Sequence, residues 1–184
     1  MKDTHPTPAI VVRRRPGRPT QGVLSYLGRA MPVALGRGGT SVAKREGDGA
    51  TPIGTFRLVS AFAPQDGRKA GTVRWSPLPF RTVDGSDGWC DAAEDRNYNA
   101  PVPLPYPASC ERLARDDHLY DMVMVPDHNR AGLRPGARGQ GSAVFMHLAR
   151  PGYMPTEGCI ALARRDMEWL WARVRPGTRL IVVR

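Results

Sequence analysis

The sequence predicts a mainly β fold with minor α, of the sandwich or barrel kind, and three observations predict it. Short apolar segments, most of them β-branched or alternating, recur at short intervals with Gly, Pro, Asn or Asp between them. The 20 glycines and 18 prolines are scattered without a period, which suits many turns better than long helices. At 184 residues and 41% hydrophobic content, the chain has the size and the apolar material for one core.

Taken in order, residues 1–9 are polar and proline-containing and read as a flexible lead, with residues 10–184 as one domain. A first strand is expected over Ile10 to Arg14, with Arg13, Arg14 and Arg15 as a solvated charged face. Further strands are expected over Val23 to Leu27, Met31 to Leu35, Thr55 to Ser60, Tyr120 to Val125, Ser142 to Leu148 and Leu180 to Val183, with Tyr120 half buried. Ser109 reads as the cap of a short helix running through Leu113. A second helix over Asp166 to Val174 sets Met167, Leu170, Trp171 and Val174 at i, i+3, i+4 and i+7, one apolar face for the core. Trp169 and Trp171 are accordingly given no functional role. Pro64 to Pro107 is rich in Asp, Gly, Pro and aromatic residues with weak periodicity, and long loops of this kind are often functional. There is no internal repeat, heptad pattern or low-complexity tract.

The charge balance of 27 Lys and Arg against 17 Asp and Glu gives +10, which attracts anionic partners without specifying a fold. From Arg130 to Arg184, ten arginines stand against Glu157, Asp166 and Glu168. A basic nucleic-acid-binding module is the rival this composition raises. No RNP, zinc-finger or helix-turn-helix phrase accompanies the basic residues, so no nucleic acid partner is expected. No apolar run approaches the roughly 20 residues of a membrane-spanning helix. The N-terminus lacks the apolar stretch of a secretory signal, and the residues after Arg15 are too polar for a twin-arginine one. His118, His128 and His147 with Cys90, Cys110 and Cys159 show neither CxxC nor HxxxH spacing, so no metal is expected. GRGGT, Gly36 to Thr40, lacks the lysine of a phosphate loop, and no cofactor is expected. Three cysteines cannot all pair within a monomer, the expected state, so at least one is a free thiol.

The segment from Ser142 to Leu162, SAVFMHLARPGYMPTEGCIAL, concentrates the chemistry. It begins as an apolar strand with His147 near its end, turns through Pro151, Gly152 and Pro155, and reaches Cys159 after Gly158. A thiol nucleophile needs a base, here His147, and amide donors for the oxyanion formed at the attacked carbonyl. Gly158 lets substrate approach the backbone closely, so the amides of Gly158 and Cys159 are the candidate donors. An imidazolium at His147 would depress the pKa of the thiol.

His147, the eight residues Leu148 to Pro155, and then Thr156, Glu157, Gly158 and Cys159 resemble the signature of the L,D-transpeptidase catalytic domain, the YkuD-like fold. GDGATPIGTF, Gly47 to Phe56, is similar to an upstream phrase of the same family. The resemblance covers roughly Ile10 to Val183. Two departures stand beside the nucleophile: Glu157 where the best-known members have His, and Ala161 where they have Arg. The resemblance implies mixed sheets with one or two short helices and a peptidoglycan stem peptide as donor. Cys159 would attack the carbonyl at the L-centre of the diamino acid, expel a terminal D-amino acid and leave a thioester, which an amine or water resolves. A backbone carbonyl often orients the imidazole in this family.

Substrate contacts are expected from Thr156 and Glu157 beside the nucleophile, from Arg150 toward a substrate carboxylate, and from Trp89, Tyr98 and Asn99 as an aromatic and amide-rich groove wall. A satisfied turn is the equal alternative for the last three. Hydrolysis of carboxypeptidase or amidase type in the same fold is an alternative reaction that Glu157 favours, and a cell-wall-binding protein without catalysis is a further one. The inferred substrate points to the cell envelope or periplasm.

Overall fold

The computed structural model describes residues 8–65, 75–131, 133 and 135–184. The chain opens as an antiparallel meander of β1 (Ile10–Arg15), β2 (Arg18–Tyr26) and β3 (Arg29–Ala34). The β2–β3 turn uses Leu27 and Gly28, both at positive φ, the backbone that matches the right-handed twist of a two-residue hairpin. Two-residue strands β4 (Thr40–Ser41) and β5 (Thr51–Pro52) then pair in parallel. β6 (Gly54–Pro64) is the longest strand, and β7 (Phe80–Val83) lies parallel to its far end. β8 (Asp87–Cys90), β9 (Pro101–Pro103) and β10 (Cys110–Arg112) form a separate antiparallel sheet in the order β10-β8-β9. β11 (Val123–Pro126), β12 (Met146–Leu148), β13 (Ile160–Leu162), α1 (Arg164–Trp171) and β14 (Arg179–Val183) complete the chain.

The main sheet runs β11-β12-β13-β3-β2-β1-β14-β6-β7, and β6 also pairs with β11. That extra ladder closes the first eight strands into a barrel-like ring, which removes open edges. The sheet is mixed: β1–β14, β12–β13 and β6–β7 are parallel, and the remaining pairs are antiparallel.

Period-two alternation along β11 explains how the site is backed on both sides. Met124 packs into the larger core with Ile10, Leu24, Met146, Ile160, Leu180 and the α1 residues Met167, Leu170 and Trp171. Val123 and Val125 point the other way, into a second cluster with Phe62, Trp89, Tyr120, Phe145 and Cys159. Phe145 centres that cluster, edge-on to Trp89 at 4.9 Å, Phe62 at 5.7 Å and Tyr120 at 5.9 Å. Because β11 and β13 are covered on both faces, they read as continuous apolar runs, and His147 is the one polar residue of the buried β12 between them.

Several expectations need correction. The segment after Ser109 is the strand β10, because Cys110 to Arg112 completes a ladder with Gly88 to Cys90. The strand expected from Ser142 is confined to Met146–Leu148, since Ala143 sits at φ 48° and leaves the extended region. Tyr120 lies before its strand and is buried. The helix begins two residues early and ends at Trp171, although Val174 is still fully buried beneath it. The stretch expected as one long loop contains β7, β8 and β9, with residues 66–74 outside the described residues. Most of the lead at 1–9 lies outside them too.

Candidate active site

Parallel pairing of β12 with β13 sets Met146 against Ile160 and His147 against Ala161. Cys159 therefore stands at the head of β13, level with Phe145, and the Ile160 amide donates to the Phe145 carbonyl at 2.9 Å. The Phe145 amide donates to Cys159 Sγ at 3.3 Å, and the thiol donates to the Ala143 carbonyl at 3.1 Å. The left-handed backbone at Ala143 that aims this carbonyl is held from behind. Asn99 Oδ1 accepts from the Ala143 amide at 3.0 Å and from Trp89 Nε1 at 3.0 Å. The Asn99 amide group donates in turn to the carbonyls of His128 and Asn129.

The turn before the thiol is fixed as tightly. Thr156 Oγ1 donates to the Cys159 carbonyl at 2.7 Å and accepts from the Gly158 amide at 3.2 Å. Gly158 has φ 134°, and a Cβ there would stand 3.0 Å from the Ala50 carbonyl oxygen, so backbone and space both demand glycine. Thr156 is tied to the segment after β3, its amide donating to Leu35 O at 3.0 Å and its carbonyl accepting from Arg37 N at 2.7 Å. Here the upstream phrase finds its physical role. The Asp48 carboxylate accepts from the amides of Arg45 and Ala50 and from Lys44 Nζ, and folds Gly47 to Thr51 into a tight turn against the Cys159 loop. Gly36 and Gly38 pack so closely there that a Cβ would stand 2.1 Å from Gly49 O and 2.5 Å from Asp48 O respectively.

His147 Nδ1 lies 2.8 Å from the Leu148 carbonyl. A carbonyl only accepts, so Nδ1 carries the proton and Nε2 keeps a lone pair. The ring is 6% exposed and stands edge-on to Tyr120 with centroids 5.4 Å apart. Burial pulls the His147 pKa down to about 4 against the opposing Leu148 hydrogen bond, with Arg115 and Arg150 adding to the fall. Burial likewise pushes Cys159 up to about 12, and the Glu111 charge adds to it. The resting pair is thus a neutral thiol and a neutral imidazole. The depressed thiol pKa expected from the sequence is corrected accordingly: desolvation dominates, and the hydrogen bonds of the thiol go to Phe145 N and Ala143 O.

These groups share one cleft of about 390 Å³, lined by His147, Cys159, Thr156, Glu157, Gly158 and Arg150 with Glu46, Asp91, Glu111, Arg115, Tyr120, Ser142 and Ala143. Glu157 stands at its rim, with its side chain 77% exposed and paired with Arg37 at 2.6 Å. Trp89, Tyr98 and Asn99 do not line the cleft; all three are buried behind it. Their groove-wall role is corrected to support: Trp89 and Asn99 hold Ala143 and Phe145. The Tyr98 hydroxyl donates to the Glu46 carboxylate and accepts from the Gly141 amide. The Pro64 to Pro107 stretch reaches the cleft through Asp91 among the described residues.

Sequence reasoning missed Glu111, Arg115 and the depth of Tyr120. The Tyr120 hydroxyl donates to Glu111 Oε1 at 2.8 Å, and burial raises the Glu111 pKa. Arg115 also reaches Oε1, at 3.4 Å, but it is engaged chiefly by Asp117, at 3.0 and 2.5 Å. The spacing of Glu111 and Arg115 was visible as a charge pair, yet nothing in it points to a cleft. Among the described residues no group of three or more His, Cys, Asp or Glu side chains is arranged to hold a metal ion, and no helix is long and apolar enough to cross a membrane.

No curated protein matches the chain in sequence. Solved structures that resemble it include an L,D-transpeptidase from Mycobacterium tuberculosis H37Rv, 15% identical with a TM-score of 0.43, aligned over 96% of this chain and 58% of that one. L,D-transpeptidase 3 from M. tuberculosis, in complex with a faropenem-derived adduct, is 18% identical with a TM-score of 0.45 over 96% and 61%. An L,D-transpeptidase from Mycobacterium smegmatis is 16% identical with a TM-score of 0.40 over 96% and 59%. This chain thus spans less than two thirds of the length of each. The profile of the L,D-transpeptidase catalytic domain matches residues 20–183, from β2 through β14 and across the whole cleft, and the chain belongs to that family.

Proposed function

We propose that this protein is a cysteine-dependent acyl transferase acting on peptidoglycan stem peptides in the cell envelope, with Cys159 as nucleophile and His147 as general base. The observation that carries the reading is the pairing of β12 and β13, which sets a thiol and an imidazole with a free Nε2 lone pair on one wall of a peptide-sized cleft.

Because both groups rest neutral, the chemistry is general-base catalysis rather than attack by a preformed thiolate. The S–H turns from the Ala143 carbonyl toward His147 Nε2 and gives up its proton as Sγ attacks the carbonyl at the L-centre of the diamino acid. Nδ1–H, held on the Leu148 carbonyl, steadies the imidazolium while it exists. The tetrahedral oxyanion takes the Cys159 amide, since the Gly158 amide is already engaged by Thr156 Oγ1. Collapse breaks the C–N bond to the terminal D-amino acid, whose amine leaves with the proton from Nε2. An amine or water then attacks the thioester by the same route and restores the thiol. Arg150 lines the cleft and is exposed, and in this reading it meets a substrate carboxylate. Glu157 is compensated by Arg37, which weakens the repulsion its charge would exert on such a group.

A carbapenem is the probe, since a nucleophilic thiol opens its β-lactam to a stable thioester. Intact-protein mass spectrometry should show one adduct per chain, lost in Cys159→Ala and kept in Cys90→Ala and Cys110→Ala. His147→Ala should slow its formation by ~10² to 10⁴, the range for losing a general base. An adduct mapped to Cys90 or Cys110 would overturn the assignment.

A further inference from the structure

The small sheet β10-β8-β9 places Cys110 directly opposite Cys90. All three cysteines of the chain are unpaired thiols in this structure. An antiparallel ladder alternates between hydrogen-bonded pairs and closer pairs that exchange no backbone bonds. The Asp91 amide donates to Ser109 O at 3.2 Å and the Leu113 amide to Asp87 O at 3.1 Å, which fixes the phase. Asp91 with Ser109, Trp89 with Glu111 and Asp87 with Leu113 are the bonded pairs, so Cys90 with Cys110 is the close kind.

The backbone of Cys90 gives the same answer independently. Its amide donates to Ala100 O at 2.9 Å and its carbonyl accepts from Asn99 N at 2.8 Å, both on the β9 side and away from β10. In such a pair the Cα atoms are about 4.5 Å apart, inside the range of roughly 4.4–6.8 Å that a disulfide spans. Directly opposed side chains also share one face of the sheet. Trp89 and Glu111 occupy the other face, toward the second core and the cleft.

We propose that Cys90 and Cys110 are a cross-strand disulfide site, closed by exchange with a disulfide oxidant, which clamps the strand pair that carries Asp91 and Glu111 to the cleft. Cys110 is partly exposed and Cys90 is fully buried, so the order of events follows from access. Deprotonated Cys110 attacks one sulfur of the oxidant, the oxidant's S–S bond breaks, and one thiol leaves with the Cys110 proton. Cys90 then attacks Cys110 Sγ in the mixed disulfide, expelling the second thiol with the Cys90 proton. Two protons and two electrons pass to the oxidant, and one S–S bond joins the strands. Burial raises the Cys90 thiol pKa, which leaves the first attack to Cys110. Cys159 is left as the reduced thiol. The oxidising chemistry of a cell envelope suits such a bond, although the geometric argument does not depend on the proposed reaction.

The test incubates the full chain with oxidised glutathione, quenches with N-ethylmaleimide in denaturant so that buried thiols are labelled, and maps the peptides by mass spectrometry. A linked Cys90–Cys110 peptide pair with maleimide on Cys159 is the expected result. The oxidised protein should melt on the order of 5–10 °C above the reduced one, and the Cys90→Ser, Cys110→Ser double variant should show no such difference. Maleimide on both Cys90 and Cys110, glutathione retained on Cys110, or a link to Cys159 would each overturn the site. An unchanged melting temperature would overturn the clamp. Carbapenem adduct formation on Cys159, read in the same samples, reports the proposed reaction separately.

Discussion

In the free protein, alkylation of Cys159 by iodoacetamide should be slow at neutral pH and should keep rising with pH far above the range of an ordinary thiol. With the thiol at about 12, roughly one molecule in 10⁵ is thiolate at pH 7, against a few per cent for a cysteine near 8.5. That is a deficit of about 3,000-fold in the reactive form. A thiolate of higher pKa is intrinsically more nucleophilic, with a Brønsted slope of about 0.4–0.5, which recovers roughly 30-fold. The net expectation is alkylation about 10² slower than that of an unhindered thiol. Residue-resolved mass spectrometry across pH 6 to 11 measures it, with the partly exposed Cys110 as internal reference.

His147→Ala should leave this profile nearly unchanged, because a neutral imidazole does not stabilise a thiolate, while carbapenem acylation falls steeply in the same variant. Glu111→Gln should raise alkylation several-fold, since the Glu111 charge is the main electrostatic opponent of the thiolate after burial and the amide still accepts from Tyr120. A wild-type rate that levels off below pH 8, with the plateau abolished in His147→Ala, would mean a thiolate–imidazolium pair. The neutral-pair mechanism would then be wrong.

Other consequences are open to direct measurement. The fall of the His147 pKa from 6.5 to about 4 means that below pH 6.5 the unfolded chain binds a proton the folded one refuses. The His147 contribution to stability should therefore be constant above pH 6.5 and drop by up to about 3 kcal/mol on approach to pH 4; His147→Gln should flatten that part of a urea-midpoint profile against pH, and an equally steep profile would remove His147 as its source. Thr156→Val deletes a buried hydroxyl that serves both Cys159 O and Gly158 N, and should cost about 1–3 kcal/mol and slow acylation, with a midpoint shift under 0.5 kcal/mol counting against the role. Asn99→Ala should destabilise by a similar amount and also lower acylation, because the Ala143 carbonyl that meets the thiol loses its support; unchanged acylation in a folded variant would uncouple the two.

Much of the barrel was legible because its signals are local. The apolar runs of β1, β2, β3, β6 and β14 and the i, i+3, i+4, i+7 face of α1 depend on nearest-neighbour patterning, and their boundaries moved by only a few residues at most ends. The segment after Ser109 failed for the converse reason. Three residues carry almost no periodic signal, and Cys110 to Arg112 is a strand only because Gly88 to Cys90, some twenty positions away, offers an edge. Trp89 and Asn99 were recognised as unusual but given the wrong side of the wall, since composition cannot tell a groove lining from the layer behind it.

The same division runs through the chemistry. His147 and Cys159 stand out in sequence because their spacing and the glycine before the thiol are local facts. Their protonation states are not local. They follow from burial and from the charges of Glu111 and Arg115, contributed by a segment with no sequence link to the motif. The closed ring and the second aromatic cluster desolvate both partners here and hold them neutral. That environment makes proton transfer part of the attack itself, so the activity of this site should depend on the geometry of the imidazole more steeply than on any standing charge at the sulfur. Tyr120→Leu, which removes the ring edge at 5.4 Å from His147, is the substitution that separates these two demands. Acylation should fall while iodoacetamide alkylation holds or rises, and a parallel fall in both would show that the thiol, and not the base, had been disturbed.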